Sequence, residues 1–423
     1  MKKITALMTA FTIILTFISS NVYAAENTLS AFENSFADYE LIELSEQEKE
    51  AADSYIEALE CDNTGISLFS SRANDFWFEY DYTNDFFYRQ LNSEEKELYK
   101  NMYIAAKKIQ NSDIDFEASE NQYNSAFCER ITYSSAISNS RLMEIYRAFR
   151  FSNPQFFFFG TCAFYGGYSS GSFNGSRYLY LRVGEMFLKS TDRKAMVNTI
   201  SQKTLLWLNE INKCSNPLEK ELKIIEILCD NIVYGYGFDI SNINEKAEYH
   251  QTIAGAIGKG QCVCNGYAMA FSYLCHLADI DCIGVVGQGH AWNRVKLFGD
   301  WYETDVTWMD QAWGISYAYC NKSTEVFLAQ DLARNTTAHT PRADLYTTLS
   351  LPECLKNDPV VPDYILGDVN GDGKLNNTDI ILLGRAYMAG DGDKYLSVAD
   401  MNNDGRITNA DIILLGRLYM NGK

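Results

Sequence analysis

The stretch Gly260-Gln261-Cys262-Val263-Cys264-Asn265-Gly266-Tyr267-Ala268-Met269-Ala270-Phe271 marks a change of pattern in a chain of 423 residues. From Cys264 to Ala278 the apolar residues Tyr267, Ala270, Phe271, Leu274 and Leu277 recur at helical spacing. A helix therefore starts where a loop ends, with Cys264 at its first turn. Three strand-like runs follow, Cys282–Val286, His290–Leu297 and Trp301–Thr307. Phe298-Gly299-Asp300 reads as a hairpin turn between the last two.

Working outward, the chain divides by composition. Residues 25–70 read as a leader, in which Ser45-Glu46-Gln47-Glu48 is a capping-box pattern opening a helix to about Leu59. Residues 71–190 are rich in aromatics, as in Phe76-Trp77-Phe78 and Phe156 to Phe159, and are read as core. Helical patterns run through about 93–110 and 139–150, the second ending before Asn153-Pro154. Residues 192–212 and 217–233 read as two amphipathic helices, with Pro217 at a first-turn position that tolerates it. Residues 351–366, with Pro352, Pro359 and Pro362, read as a linker.

Met1–Ala24 has the form of a secretory signal peptide: Lys2 and Lys3, an apolar run from Ile4 to Ile18, and Val22-Tyr23-Ala24 before the expected cut. The run is short of the ~20 residues that a bilayer span needs, so no membrane anchor is expected after cleavage. Asp+Glu 55 against Lys+Arg 36 gives a net charge of −19. No basic excess exists to neutralise phosphates, which argues against a nucleic-acid partner. Eleven cysteines in an exported chain permit disulfides, but the count is odd and leaves at least one thiol if the rest pair. Cys262-Val263-Cys264 is not a zinc spacing.

Residues 367–423 are internally repeated with a period of 32. Asp368, Asn370, Asp372, Lys374 and Asp379 in the first copy match Asp400, Asn402, Asp404, Arg406 and Asp411 in the second. Oxygen side chains fall at loop positions 1, 3, 5 and 12, glycine stands at 6, and Lys374 or Arg406 offers its carbonyl at 7. That is a donor set for Ca²⁺, one ion per loop. Each loop leads into nearly the same helix, Ile380 to Met388 and Ile412 to Met420. A loop–helix duplication without an entering helix before each loop resembles a type I dockerin, a small all-α calcium-binding module. The resemblance implies docking onto a cohesin domain of a scaffoldin, as in cellulosomes. It places partner choice at Asn377-Thr378 and Asn409-Ala410, with Arg385 and Arg417. Eight acids in so short a module repel until cations bind, so calcium-dependent folding is expected.

A cysteine nucleophile needs a base and an electropositive setting. Cys264 stands at a helix N-terminus, which favours negative charge. His290 opens a strand, and Asp305 lies on the next one. A loop centred near Leu297–Phe298 sets Asp305 directly opposite His290, whereas one centred on Gly299-Asp300 offsets them by four residues; the first is expected. His276 reads as packed or surface-facing, and His339 as part of a polar loop. Cys262 is the runner-up nucleophile.

The words Cys264-Asn265-Gly266-Tyr267-Ala268, His290-Ala291-Trp292-Asn293-Arg294-Val295 and Trp301-Tyr302-Glu303-Thr304-Asp305-Val306-Thr307-Trp308 resemble the transglutaminase-like superfamily. The resemblance is dense over 260–308 and extends to a unit of roughly 71–350, with its catalytic core at about 217–320. It implies a papain-like α+β fold, a cysteine-bearing helix packed on an antiparallel sheet, with a helical N-terminal part. It assigns Cys264 as nucleophile, His290 as base and Asp305 as orienting acid, with no cofactor for catalysis. One departure is Met309, where many relatives have Asp. The Cys264 backbone N–H is expected in the oxyanion hole.

Together these features predict a secreted enzyme of a cellulosome or cell-surface complex. It would act on amide or peptide bonds of proteins through a thioester. Water as acceptor makes it a peptidase or deamidase, and an amine makes it a cross-linker; hydrolysis is favoured because water needs no acceptor site. The alternatives are a non-catalytic binding component and a carbohydrate-active enzyme in polysaccharide catabolism. For the latter, no pair of facing carboxylates is nominated by the sequence.

Overall fold

The structure, a computed structural model, describes residues 41–62, 85–118, 126–160, 163–167, 177–235, 249–360, 366–370, 374–402 and 404–421. The expected signal peptide at Met1–Ala24, the Phe76-Trp77-Phe78 cluster and Asp372 lie outside the described residues. Two compact units result, the first of residues 1–297 and 301–358 and the second of residues 298–300 and 359–423. Among the described residues no helix is long and apolar enough to cross a membrane.

The first unit is α+β. Its opening helix Glu46–Asp62 starts as its capping box dictates: Ser45 N–H donates to Glu48 Oε2 at 2.9 Å and Glu48 N–H to Ser45 Oγ at 3.3 Å. The expected helices appear as Ser93–Asn111, Asn139–Ser152, Ser190–Ile211 and Pro217–Asn231. The N-terminal part is not only helical, however. A four-stranded sheet runs in the order Leu41–Glu43, Ala163–Gly167, Arg177–Val183, Ala126–Tyr133. Phe127, Phe164, Tyr178 and Tyr180 pack with Leu44, Ala52 and Ile56 of the opening segment. Burial on both faces erases the alternation that would have marked Arg177–Val183 as a strand.

The helix Cys264–Leu277 is buried from Cys264 through Cys275. It lies against the sheet Cys282–Val286, Ala291–Leu297, Asp300–Thr304, whose first two strands are antiparallel with Val285 opposite Trp292. Asn293 fastens the two layers, donating from Nδ2 to Ala268 O at 3.0 Å and to Ser272 Oγ at 2.9 Å. The strand–strand connection is the two-residue turn Phe298-Gly299, with φ of 50° and 91°. Left-handed backbone at both positions suits a tight hairpin. The turn therefore centres between the two alternatives considered, and the expected register with Asp305 directly opposite His290 is corrected. The last strand also ends earlier than expected. Asp305 leaves it at Thr304 to cap the one-turn helix Val306–Met309, accepting from Trp308 N–H at 3.3 Å.

Beyond the sheet, the segment after helix Thr324–Arg334 folds back across the turn that precedes His290. Gly287 N–H donates to His290 O at 2.8 Å, Gly287 bridges Pro341, and Arg342 N–H donates to Val286 O at 3.0 Å. A Cβ on Gly287 would lie 2.3 Å from Ala338 O and 2.9 Å from Thr340 O, both backbone atoms.

In the second unit, helices Asn377–Met388 and Asn409–Asn421 meet over Val369, Leu383, Ala399, Ile407 and Leu415. Leu383 and Leu415 stand 32 residues apart and are both fully buried, so the repeat is also a repeat of packing. A one-turn helix, Leu396–Ala399, enters the second loop, where none was expected.

Gly287→Ala should destabilise the first unit by about 1–3 kcal/mol, the range for forced overpacking. A thermal melt of the variant that coincides with the parent's would contradict the close approach described.

Candidate functional site

Cys264 occupies the first position of its helix and is fully buried. The N-cap residue is Val263, whose side chain offers no acceptor. The first N–H groups of the helix are thus left to a negative charge at the sulfur or to a ligand oxygen. Cys262 lies two residues away on a short strand paired with Val233–Tyr234. Burial, then the neighbouring Cys264 sulfur and the Asp310 carboxylate, push its thiol well above the ordinary value. A thiol held up in this way forms little thiolate near neutral pH, which counts against Cys262 as the nucleophile. All nine cysteines with described side chains are free thiols.

His290 precedes the strand Ala291–Leu297 and is fully buried. Its Nε2 lies 2.7 Å from Asp305 Oδ2. With Nε2 engaged by a carboxylate, proton exchange with a nucleophile falls to the other ring nitrogen, Nδ1. Burial alone would raise the Asp305 carboxyl. The positive charges and hydrogen bonds of His290 and His339 outweigh it and hold Asp305 well below the usual carboxylate range.

His339 is a correction to the sequence reading. It lies in the loop after the helix Thr324–Arg334, as read, but its side chain is buried and engaged rather than incidental to the site. Its Nε2 lies 3.0 Å from the same Asp305 Oδ2, and its Nδ1 lies 2.7 Å from Asp331 Oδ1. Burial would lower its ring; the Asp305 and Asp331 hydrogen bonds outweigh that and pull it up. Asp331 sits on the helix Thr324–Arg334 and is itself buried. No local pattern joins residues 305, 331 and 339, so only the fold reveals the cluster.

Other motif residues are braces. Tyr267 Oη donates to Asp310 Oδ2 at 2.6 Å, and Trp292 Nε1 donates to Glu303 Oε2 at 2.8 Å. Arg294 pairs with Glu303 at 2.7 Å. Asn265 Nδ2 reaches Gln251 Oε1 at 3.4 Å. Glu221, on the helix Pro217–Asn231, supports the strand end beside Asp305. It accepts from Asn321 Nδ2 at 2.6 Å and from Thr304 Oγ1 at 3.3 Å. Burial pushes its carboxyl up to about 7 against those two hydrogen bonds.

In the second unit the loop acids turn inward. Asp379 Oδ1 accepts from Val369 N–H at 3.0 Å, and Asp411 Oδ1 accepts from the equivalent Met401 N–H at 2.9 Å. Asp400 takes N–H groups of Asp404 at 3.1 Å and Gly405 at 2.9 Å, with Gly405 at φ 79°. Burial and the facing Asp411 and Asp404 charges push Asp400 up against those two N–H bonds. Asp368 is buried, Asn370, Lys374 and Arg406 are exposed, and Asn402 Nδ2 donates to Asp404 Oδ2 at 3.0 Å.

Residues 366–418 match the family model described as "Dockerin type I domain". The second unit therefore contains a type I dockerin domain. No curated protein matches the chain. Among solved structures, one titled "Crystal structure of a TGase" is 12% identical, with a TM-score of 0.25, covering 36% of this chain and 52% of that one. The chain spans about half the length of that structure.

Because the folded chain keeps the Glu221 proton up to about 7, against 4.5 ordinarily, stability should fall as pH rises across that window. The loss amounts to about 3 kcal/mol. Glu221→Gln should remove that slope, so denaturant unfolding at both ends of the window should show the variant gaining on the parent. A difference that does not change with pH would contradict the assignment.

Proposed function

Given a type I dockerin domain at residues 366–418, we propose that the chain is an exported, cohesin-docked enzyme. Its first unit would be a transglutaminase-like, papain-like cysteine acyltransferase acting on amide bonds of proteins. The observation that carries the reading is the buried 2.7 Å contact between His290 Nε2 and Asp305 Oδ2. The contact orients the His290 ring, and in this reading Nδ1 is the nitrogen that would take the thiol proton.

In the proposed reaction the Cys264 thiol gives its proton to His290 Nδ1. The thiolate attacks a carboxamide carbon, a C–S bond forms, and the carbonyl electron pair moves onto oxygen. In this reading the Cys264 N–H at the helix start would bind that oxyanion. The intermediate collapses, the C–N bond breaks, and His290 returns the proton to the leaving nitrogen. Asp305 holds the imidazole in one tautomer and stabilises the imidazolium without taking its proton. His290 then activates water, which gives the acid, or an amine, which gives a cross-link. Hydrolysis is the favoured outcome because water needs no binding site.

Full burial of Cys264 and His290 means that a substrate must open the structure to reach them. The same burial favours a second reading, a non-catalytic component with an inert thiol. The two are separated by iodoacetamide near neutral pH. The enzyme reading expects labelling of Cys264 faster than of the other eight described thiols, and loss of all turnover in Cys264→Ala. Uniform slow labelling would support the inert component instead.

The second unit is proposed to bind two Ca²⁺. Asp368, Asn370, Asp372, Asp379 and the Lys374 carbonyl would hold one. Asp400, Asn402, Asp404, Asp411 and the Arg406 carbonyl would hold the other. An all-oxygen donor set with facing carboxylates fits a hard cation. Bound calcium supplies the charge that lets those acids approach, and the ordered helices then present a surface to a scaffoldin cohesin. Chelation by EGTA should abolish cohesin capture in a pull-down, and excess Ca²⁺ should restore it. Capture that persists in EGTA would contradict the calcium requirement.

A further inference from the structure

The proposed chemistry uses one of two histidines that share Asp305. His339 Nε2 and His290 Nε2 lie 3.0 Å and 2.7 Å from the same oxygen, Asp305 Oδ2. Asp305 Oδ1 is meanwhile committed to the Trp308 N–H. Behind His339, Asp331 makes a two-point clamp: Oδ1 lies 2.7 Å from Nδ1, and Oδ2 accepts the His339 backbone N–H at 2.7 Å. The His339 ring is packed by Phe327 at 4.6 Å, Trp308 at 4.8 Å and Trp292 at 5.2 Å between centroids, and its side chain has no exposed surface. The groups therefore alternate in space as acid, imidazole, acid, imidazole.

The donor atoms of His290, Asp305 and His339 lie within 4.8 Å of one another, close enough to consider a metal. The spacings decide against that reading. Donors around one tetrahedral zinc stand about 3.4 Å apart, given metal–nitrogen distances of about 2.0–2.1 Å. Separations of 2.7 and 3.0 Å are those of shared protons.

We propose that Asp331 and His339 are positioning residues, a buried relay that holds His339 as an imidazolium and thereby fixes Asp305 as an ionised acceptor for His290. Both His339 ring nitrogens face carboxylate oxygens, so both carry hydrogen. Asp305 then meets two N–H donors on one oxygen and has no reason to take a proton from either. His290 keeps its Nε2 proton and presents Nδ1 as the basic nitrogen. The His339 charge also offsets that of Asp305, which makes the surroundings of a Cys264 thiolate less negative. The groups facing His339 are the Asp305 and Asp331 carboxylates, the His290 ring and the Tyr319 phenol. Arg334 stands beyond, over the Trp308 and Tyr319 rings at 5.3 and 5.4 Å. The two acids outnumber the opposing charges in direct contact. The consequence for Cys264 rests on the proposed function, whereas the proton arrangement rests on geometry alone.

Two readouts on the full chain keep these apart. Long-range ¹H–¹⁵N spectra of histidine-labelled protein should show both His339 nitrogens protonated from about pH 5 to about pH 8, where an ordinary histidine loses its proton. In Asp331→Asn the same ring should titrate within that range. The pH midpoint of Cys264 alkylation should rise by about one unit in folded His339→Gln, as expected for loss of one positive charge, whereas Asp331→Asn, which also removes a negative charge, should move it far less. A neutral His339 in the parent at pH 7, an Asp331→Asn ring that still does not titrate, or a folded His339→Gln with an unmoved midpoint beside a reactive parent thiol, would overturn the relay. A parent whose Cys264 is unreactive would sink the enzyme reading only; the imidazole spectrum would still decide the relay. Should His339→Gln fail to fold, the parent spectrum and Asp331→Asn suffice.

Discussion

Asp305 has no exposed surface, yet its carboxylate stays ionised because one oxygen is met by two imidazoles and the other by the start of a helix. An isolated buried charge is costly, and removing one partner from a buried pair typically costs about 3–5 kcal/mol. The site is therefore held together by mutual obligation. Asp305 needs the histidines, His339 needs Asp331, and each comes from a different part of the chain. The strand end, the one-turn helix, the helix Thr324–Arg334 and the returning segment at 338–341 must all be in place before any of these charges is tolerable.

The surrounding scaffold serves that requirement. Asn293 ties the His290 strand to the backbone of the cysteine helix, so two of the three proposed catalytic groups share one rigid joint. Trp292 and Arg294 converge on Glu303, locking the hairpin that delivers Asp305. Glu221 then steadies Thr304, the residue just before it. These polar contacts lie inside the first unit, where a satisfied network specifies geometry more sharply than apolar packing does.

The helix at Cys264, the strand Cys282–Val286, the capping box at Ser45 and the repeat of the second unit were legible because each is written in local spacing. The hairpin register was not. It depends on whether the backbone turns left-handed at Phe298 as well as at Gly299, and a phenylalanine gives no warning of that. The strand Arg177–Val183 was hidden by burial on both faces. His339 was misread for a related reason: polar neighbours such as Thr336, Thr337 and Thr340 look like a solvated loop. The carboxylates that draw the imidazole inward are 8 and 34 residues away.

In the proposed reading the two units divide the labour, the first carrying chemistry and the second, with its type I dockerin domain, an address. The account depends most on a sulfur becoming acylated beside His290. Acid-quenched protein, after exposure to a glutamine-containing protein substrate, can be digested and mapped by mass spectrometry. The account predicts an acyl adduct on the Cys264 peptide that disappears on longer incubation with water or an added primary amine. No adduct at Cys264, or one at another cysteine while product still forms, would contradict it.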